Sequence, residues 1–220
     1  MNIDYIRNAF HGHQCEPIRE FPIIRASVLL LFVETDGEPS ILFEERNANI
    51  PQGGEVCFPG GHVEDGETPE DTALRETAEE LQLEPEPEQI ELIAPLHVLA
   101  GARGSEIHSF LGVLHDYKGT WETAEVSRTF TVPLSWFRGN PPEIYKTRLI
   151  VSAGEDFPYE LIPGGRDYPF AAGQENVYFY RTPEGVIWGL TAKLLYHFWE
   201  LLGGLNNAWR DYRRHRRFPL

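Results

Sequence analysis

The sequence predicts an α+β fold, a mixed sheet held between two main helices in three α/β/α layers. Three observations predict it. Short runs rich in Val, Leu, Ile and Phe recur at strand length from residue 26 onward. Only two stretches, 69–83 and 190–202, carry helical spacing over more than two turns. These strands and helices do not alternate strictly, which argues against a doubly wound parallel sheet. A chain of 220 residues is long enough for one sizeable core. The expected organisation is therefore one domain over 1–220, with an N-terminal extension 1–24, a long loop or insertion 139–175 and a basic tail 204–220.

In chain order, residues 3–10 read as a short helix and 26–34 as a buried strand. The turn Asp36-Gly37-Glu38-Pro39 then folds a second strand, 41–46, back as a hairpin. The looser 47–54 precedes a short strand, 55–58, that stops at Pro59-Gly60-Gly61. The helix 69–83 has a marked start. Thr68 suits the N-cap, Pro69 the first helical position, and Asp71 the capping-box acid. Pro85 and Pro87 mark its end. Residues 90–99, 109–114 and 130–133 read as strands, with turns at 101–104 and 118–119 and a helical turn at 134–138. The stretch 139–175 is rich in Gly and Pro and gives one strand signal, 145–151. A last strand at 177–181 and the turn Thr182-Pro183-Glu184-Gly185 lead through Val186-Ile187-Trp188 into the last helix, 190–202, with Leu194, Leu195, Phe198, Leu201 and Leu202 on one side.

Composition excludes several function classes. Lys+Arg 19 against Asp+Glu 34 leaves a formal charge of -15, which repels polyanions and anionic lipid over most of the surface. No duplex nucleic acid and no membrane are expected as partners; a nucleotide remains open if a metal mediates. A hydrophobic fraction of 41% suffices for a packed interior and excludes wholesale disorder. The longest apolar run, 26–33, is far below the ~20 residues of a membrane helix. Asp4 and Arg7 interrupt any signal-peptide centre, so a soluble cytoplasmic protein is expected. Cys15 and Cys57 form neither a disulfide framework nor a C-x-x-C pair and are expected as free thiols.

The chemistry concentrates in the helix 69–83. Leu74, Thr77, Ala78 and Leu81 fall on one stripe that would pack on a sheet, and Glu76, Glu79 and Glu80 cluster opposite. Such a triplet costs the helix about a few tenths of a kcal/mol per repelling pair unless a cation sits among the acids. Hard oxygen donors favour Mg2+ or Mn2+. The plain alternative is a solvated acidic face.

Reading back from the triplet, GHVEDGETPEDTALRETAEELQL sets Gly61, five residues, Glu67, seven residues, Arg75-Glu76, two residues, and Glu79-Glu80. This resembles the Nudix box, the signature of hydrolases that cleave nucleoside diphosphates linked to another moiety. The box departs from the family at Gln82, where a helix-ending Gly is usual, and at Thr77, where an aliphatic residue or Ala is more common. The resemblance implies a Nudix-like α/β/α sandwich. It implies that Glu76, Glu79 and Glu80 bind catalytic Mg2+, with Mn2+ as substitute, helped by the carbonyl of Gly60. Arg75 and Glu67 would be an ion pair that aims those carboxylates. The general base would be Glu79 or, second, Glu125 in the loop TAEVSRTF.

Two flanking stretches are similar to segments of coenzyme A diphosphatases within that family: Leu42-Phe43-Glu44-Glu45-Arg46 with Gly54 to Gly61, and Ile187-Trp188-Gly189-Leu190-Thr191-Ala192. The implied substrate is coenzyme A or an acyl derivative, split into 4′-phosphopantetheine and adenosine 3′,5′-bisphosphate. Arg46 is a candidate phosphate clamp or else a strand-end ion pair. Gly61 and His62, beside the metal loop, are candidate substrate contacts. Phe58 and Trp188 are read as core aromatics. His11 and His13 read as surface residues, and the arginines of 210–217 as a solvated helix end. A second copy of the chain is carried as a candidate partner in a homodimer. ADP-ribose, NADH and other nucleoside diphosphate derivatives stand behind coenzyme A, and a non-catalytic nucleotide-sensing module behind the enzyme.

Overall fold

The computed structural model describes residues 2–12, 14, 23–35, 37–83, 89–101 and 104–203. The readings at His13, Cys15, Asp36, Pro85 and Pro87, and of the tail from 204 onward, lie outside the described residues. A short helix, α1 (Ile3–Ala9), opens the chain.

The organising element is β1 (Ile24–Thr35), whose residues send side chains alternately to two cores. Leu29 and Leu31, with Leu42 of β2 (Glu38–Arg46), pack against Ala73 of α2 (Pro69–Glu80) and against Leu81, which ends it. Leu30, with Ile41 and Phe43, packs against Leu195, Phe198 and Trp199 of α4 (Gly189–Leu201). One sheet with a helix on each face is the α/β/α arrangement. β1 and β2 form a hairpin that closes at Thr35 and Glu38. On its other edge β1 runs parallel to β6 (Ser105–Leu114), which pairs antiparallel with β5 (Ile90–Ala100). β7 (Val126–Pro133) and the short β3 (Val56–Cys57) pair with β2. The sheet is therefore mixed, and a short α3 (Leu134–Gly139) follows β7.

Two stretches differ from the sequence reading. Residues 60–62 form a strand, β4 (Gly60–His62), paired to Ala26, Ser27 and Val28 of β1. The stretch 139–175 holds more strand than its one signal: β8 (Glu143–Ile150), expected at 145–151, pairs with β9 (Ala172–Arg181), which starts before the expected 177–181, and with β10 (Val186–Trp188) they form a separate three-stranded sheet, 151–171 remaining without strand. Within α4, Leu194, Leu195 and Phe198 are buried, but Leu201 is 58% exposed and Leu202 36%; Tyr196 and Trp199 are buried in their place. No helix among the described residues is long and apolar enough to cross a membrane.

Helix α2 begins with the capping box read from the sequence: the Thr68 side chain accepts from the Asp71 N–H, and the Asp71 carboxylate accepts from the Thr68 N–H. Ser27 Oγ donates to the Pro69 carbonyl at 2.5 Å and ties that end to β1. At the other end the Leu83 N–H reaches the Ala78 carbonyl at 2.9 Å and the Gln82 N–H the Glu79 carbonyl at 3.2 Å, a Schellman stop. The stop needs a left-handed residue, and Gln82 supplies it at φ 48°. Its side chain donates to Glu122 Oε2 at 3.0 Å. Relief of the left-handed strain, about 1 kcal/mol, exceeds the roughly 0.5 kcal/mol of an exposed hydrogen bond. Gln82→Gly is expected to raise the urea midpoint and Gln82→Val to lower it; a lower midpoint for the glycine variant would contradict this account.

Candidate active site

Two glycines make room for the site. Gly60 has φ 148°, and a Cβ there would strike the Ser27 carbonyl and the Val28 Cα of the neighbouring strand. A Cβ on Gly61 would overlap the Glu76 carboxylate. Strand β4 can therefore pair with β1 only with glycine at position 60, and a side chain at position 61 would displace the Glu76 carboxylate that now fills the space.

On α2, Arg75 gathers three acids. Its Nε and Nη2 donate to the two oxygens of Glu67 at 2.6 and 3.0 Å, and Nη1 meets Glu76 Oε1 and Glu79 Oε2, each at 3.1 Å. Glu67 also accepts from Thr72 Oγ1 at 2.8 Å and from the Glu64 N–H at 3.3 Å. Bonds from Arg75 first, then Thr72, hold its carboxyl down to about 2. The Glu67 pairing raises Arg75 in turn. The box loop is thus pinned to the helix through a two-pronged guanidinium contact.

The three acids of the triplet are not equivalent. Glu79 is 61% exposed at its side chain, whereas Glu80 is 4% exposed and accepts from the Gly60 N–H at 2.7 Å. Glu80 lies on the inward stripe with Ala73 and Thr77, not on a solvated face opposite the packing side. The sequence reading missed its neighbour Glu44 of β2, 1% exposed, with one oxygen at 3.3 Å from the Cys57 thiol and the other, Oε2, without a hydrogen-bond partner. Burial pushes the Glu44 carboxyl up to about 7 and, with the charge of Glu44, the Glu80 carboxyl up to about 9. Burial also raises Glu76, and burial with the Glu44 charge raises the Cys57 thiol.

A cavity of about 700 Å³ opens over this seam. Its lining includes Arg46, Gly60, Gly61, His62, Glu76, Glu80 and Glu125. A smaller cavity of about 250 Å³ is lined by Glu76, Glu79, Glu80, Glu122 and Glu125 alone. The candidate residues therefore converge, with Glu79 only at the smaller cavity. Arg46 donates to the Pro51 carbonyl at 3.2 Å, and the strand-end ion pair weighed for it is not among its described contacts. Gly60 touches the acids through its N–H. Trp188, read as core, is 42% exposed and lines the large cavity, while Phe58 is buried as read. Residues that sequence reasoning missed line the same wall: Glu175 and Asn176 from β9 and Lys193 from α4.

A cavity lined by five glutamates suits a hard divalent cation, and one buried Glu44 oxygen beside it has no hydrogen-bond partner. Among the described residues no three His, Cys, Asp or Glu groups yet converge as ligands. Binding would need Glu79 to turn away from Arg75, which its exposure permits.

The family profile described as the NUDIX domain matches residues 23–148, and the chain belongs to that family of pyrophosphohydrolases, which generally use divalent metal ions. It is 32% identical over 134 residues to the mouse (Mus musculus) peroxisomal coenzyme A diphosphatase NUDT7, covering 60% of this chain and 55% of that one. It is 29% identical over 183 residues to Nudix hydrolase 3 of Caenorhabditis elegans, covering 80% and 72%. A solved Nudix hydrolase from M. smegmatis, RenU, superposes with a TM-score of 0.43 at 25% identity, over 49% of this chain and 69% of that one.

The buried acids set a pH dependence. In the unfolded chain Glu44 and Glu80 ionise near 4.5; in the fold they keep their protons to about 7 and about 9. The native state then binds more protons than the unfolded one, so stability falls as pH rises through that window. Two groups act oppositely: Glu67, whose contribution is lost only as pH falls from 4.5 through about 2, outside the range, and His97, which burial holds below its ordinary 6.5 and which reduces the fall without reversing it, one imidazole against two buried carboxyls. With chelator present, the unfolding midpoint at pH 8.5 is expected about 5 °C or more below that at pH 5.5; a higher midpoint at pH 8.5 would overturn the assignment.

Proposed function

We propose that the chain is a Mg2+-dependent hydrolase, with Mn2+ as substitute, that splits the diphosphate of coenzyme A or an acyl coenzyme A into 4′-phosphopantetheine and adenosine 3′,5′-bisphosphate. One observation carries the reading. Glu76, Glu80 and Glu125 line both the all-carboxylate cavity and the larger one, so a cation in the first borders a substrate in the second. The likeness to the mouse diphosphatase supports coenzyme A over other diphosphates. The free thiol of Cys57 suits a reducing compartment, and the cytoplasm is the proposed one.

Glu76, Glu79 and Glu80 would hold the ions, which supply charge neutralisation and a more acidic water at the diphosphate. The chain's own groups do the rest. Arg75, fixed by Glu67, holds Glu76 and Glu79 in reserve until a cation takes them over. Arg46 pairs the diphosphate oxygens from the opposite strand. Glu125, on both cavities, is better placed than Glu79 to receive the proton of the attacking water, since Glu79 does not line the large cavity.

The test offers purified protein with Mg2+ coenzyme A, acetyl coenzyme A, ADP-ribose and NADH, with chromatographic separation of products. The expected result is a kcat/KM for the first two at least tenfold above the others; comparable rates on ADP-ribose would remove coenzyme A. Glu80→Gln should lower kcat by about 10³-fold or more. Burial and the Glu44 charge raise the Glu80 carboxyl, so a neutral amide of the same shape suits that place, and the metal-free unfolding midpoint at pH 7 should not fall more than about 2 °C below wild type. Wild-type turnover in that variant would take Glu80 out of the site.

A further inference from the structure

We propose that Lys193, held against Glu175 on the wall of the large cavity, selects substrates that carry a phosphomonoester in addition to the diphosphate. The proposal rests on the coenzyme A reading, since that substrate has such a group on its ribose. The cavity lining sets six glutamates against two permanent cations, Arg46 and Lys193. Arg46 stands on β2, on the strand that carries the buried Glu44, and serves the diphosphate. Lys193 comes from α4, on the wall built with β9 and β10, and a second anionic group of the substrate is what a second cation there can recognise.

The local geometry suits an exchange of anions. The Lys193 side chain is 16% exposed, and Glu175 Oε1 stands 2.5 Å from its ammonium at the cavity wall. Glu175 is 41% exposed at its side chain and can turn to water, leaving its place to a phosphate dianion. Trp188, stacked on Phe179 at 5.8 Å and still 42% exposed, offers a flat apolar surface on the same wall, of the kind a nucleobase covers. Asn176 adds a polar group to the same lining.

Coenzyme A and dephospho-coenzyme A differ only in that phosphate, and the test compares kcat/KM for both in wild type, Lys193→Met and Glu175→Gln, with Mg2+ present. Wild type is expected to prefer coenzyme A by tenfold or more. Lys193→Met should lose that preference through KM, with less than twofold change on dephospho-coenzyme A. Glu175→Gln, which removes the competing carboxylate, should lower KM for coenzyme A. Equal losses on both substrates in Lys193→Met, or a Glu175→Gln variant that weakens coenzyme A as strongly, would make the pair a strut between β9 and α4 and overturn the proposal while leaving the coenzyme A reading intact. Hydrolysis of neither compound by wild type would overturn both.

Discussion

The burial of like charge at one seam governs this molecule. Glu44 and Glu80, from a central strand and from the helix over it, stand nearly fully out of water within electrostatic reach of each other. A fold does not gain stability from that pairing; ionised, it is repulsive and poorly solvated. The fold tolerates it because the acids can hold protons or, on our reading, meet divalent cations. The rest of the architecture serves the seam: a Gly-Gly strand thin enough to pass under Glu76, a capped helix end tied to β1 through Ser27, and a guanidinium that gathers the remaining acids.

The two sides of the large cavity come from different parts of the chain. Helix α2 and the loops that flank β3, β4 and β7 bring Glu76, Glu80, Glu55, Glu64 and Glu125, and the second sheet with the start of α4 brings Glu175, Asn176, Trp188 and Lys193. On our reading, chemistry and substrate choice are carried by these separate elements, and the box by itself leaves the substrate open.

The helix that carries the acids was legible to the residue at its start, because a capping box is a local pattern whose partners lie three residues apart. Its exit was less so: Gln82 in place of Gly left the stop in question, and the structure keeps the left-handed turn without the glycine. Thr77 and Leu81 pack inward as their spacing predicts, but Glu80, expected on the opposite face, shares their buried side with Ala73. Strand β4 was invisible because Gly-Gly-His has no strand propensity and its partner lies more than thirty residues away. Glu44 was passed over for a related reason. Residues 40 to 44 are buried without alternation, so a period-two reading that sends every polar residue outward fails in a strand covered on both faces. The β8–β9 ladder hid behind the Gly and Pro residues of the segment between its strands, and with it Glu175 and Asn176.

The central claim is that the acids of α2 accept divalent cations where the two cavities meet. Crystals grown with Mn2+ and measured above and below the manganese absorption edge test it directly. The account predicts anomalous peaks among Glu76, Glu79 and Glu80, with Glu79 swung off Arg75. Manganese bound elsewhere, with those carboxylates still on Arg75 and Gly60, would contradict it.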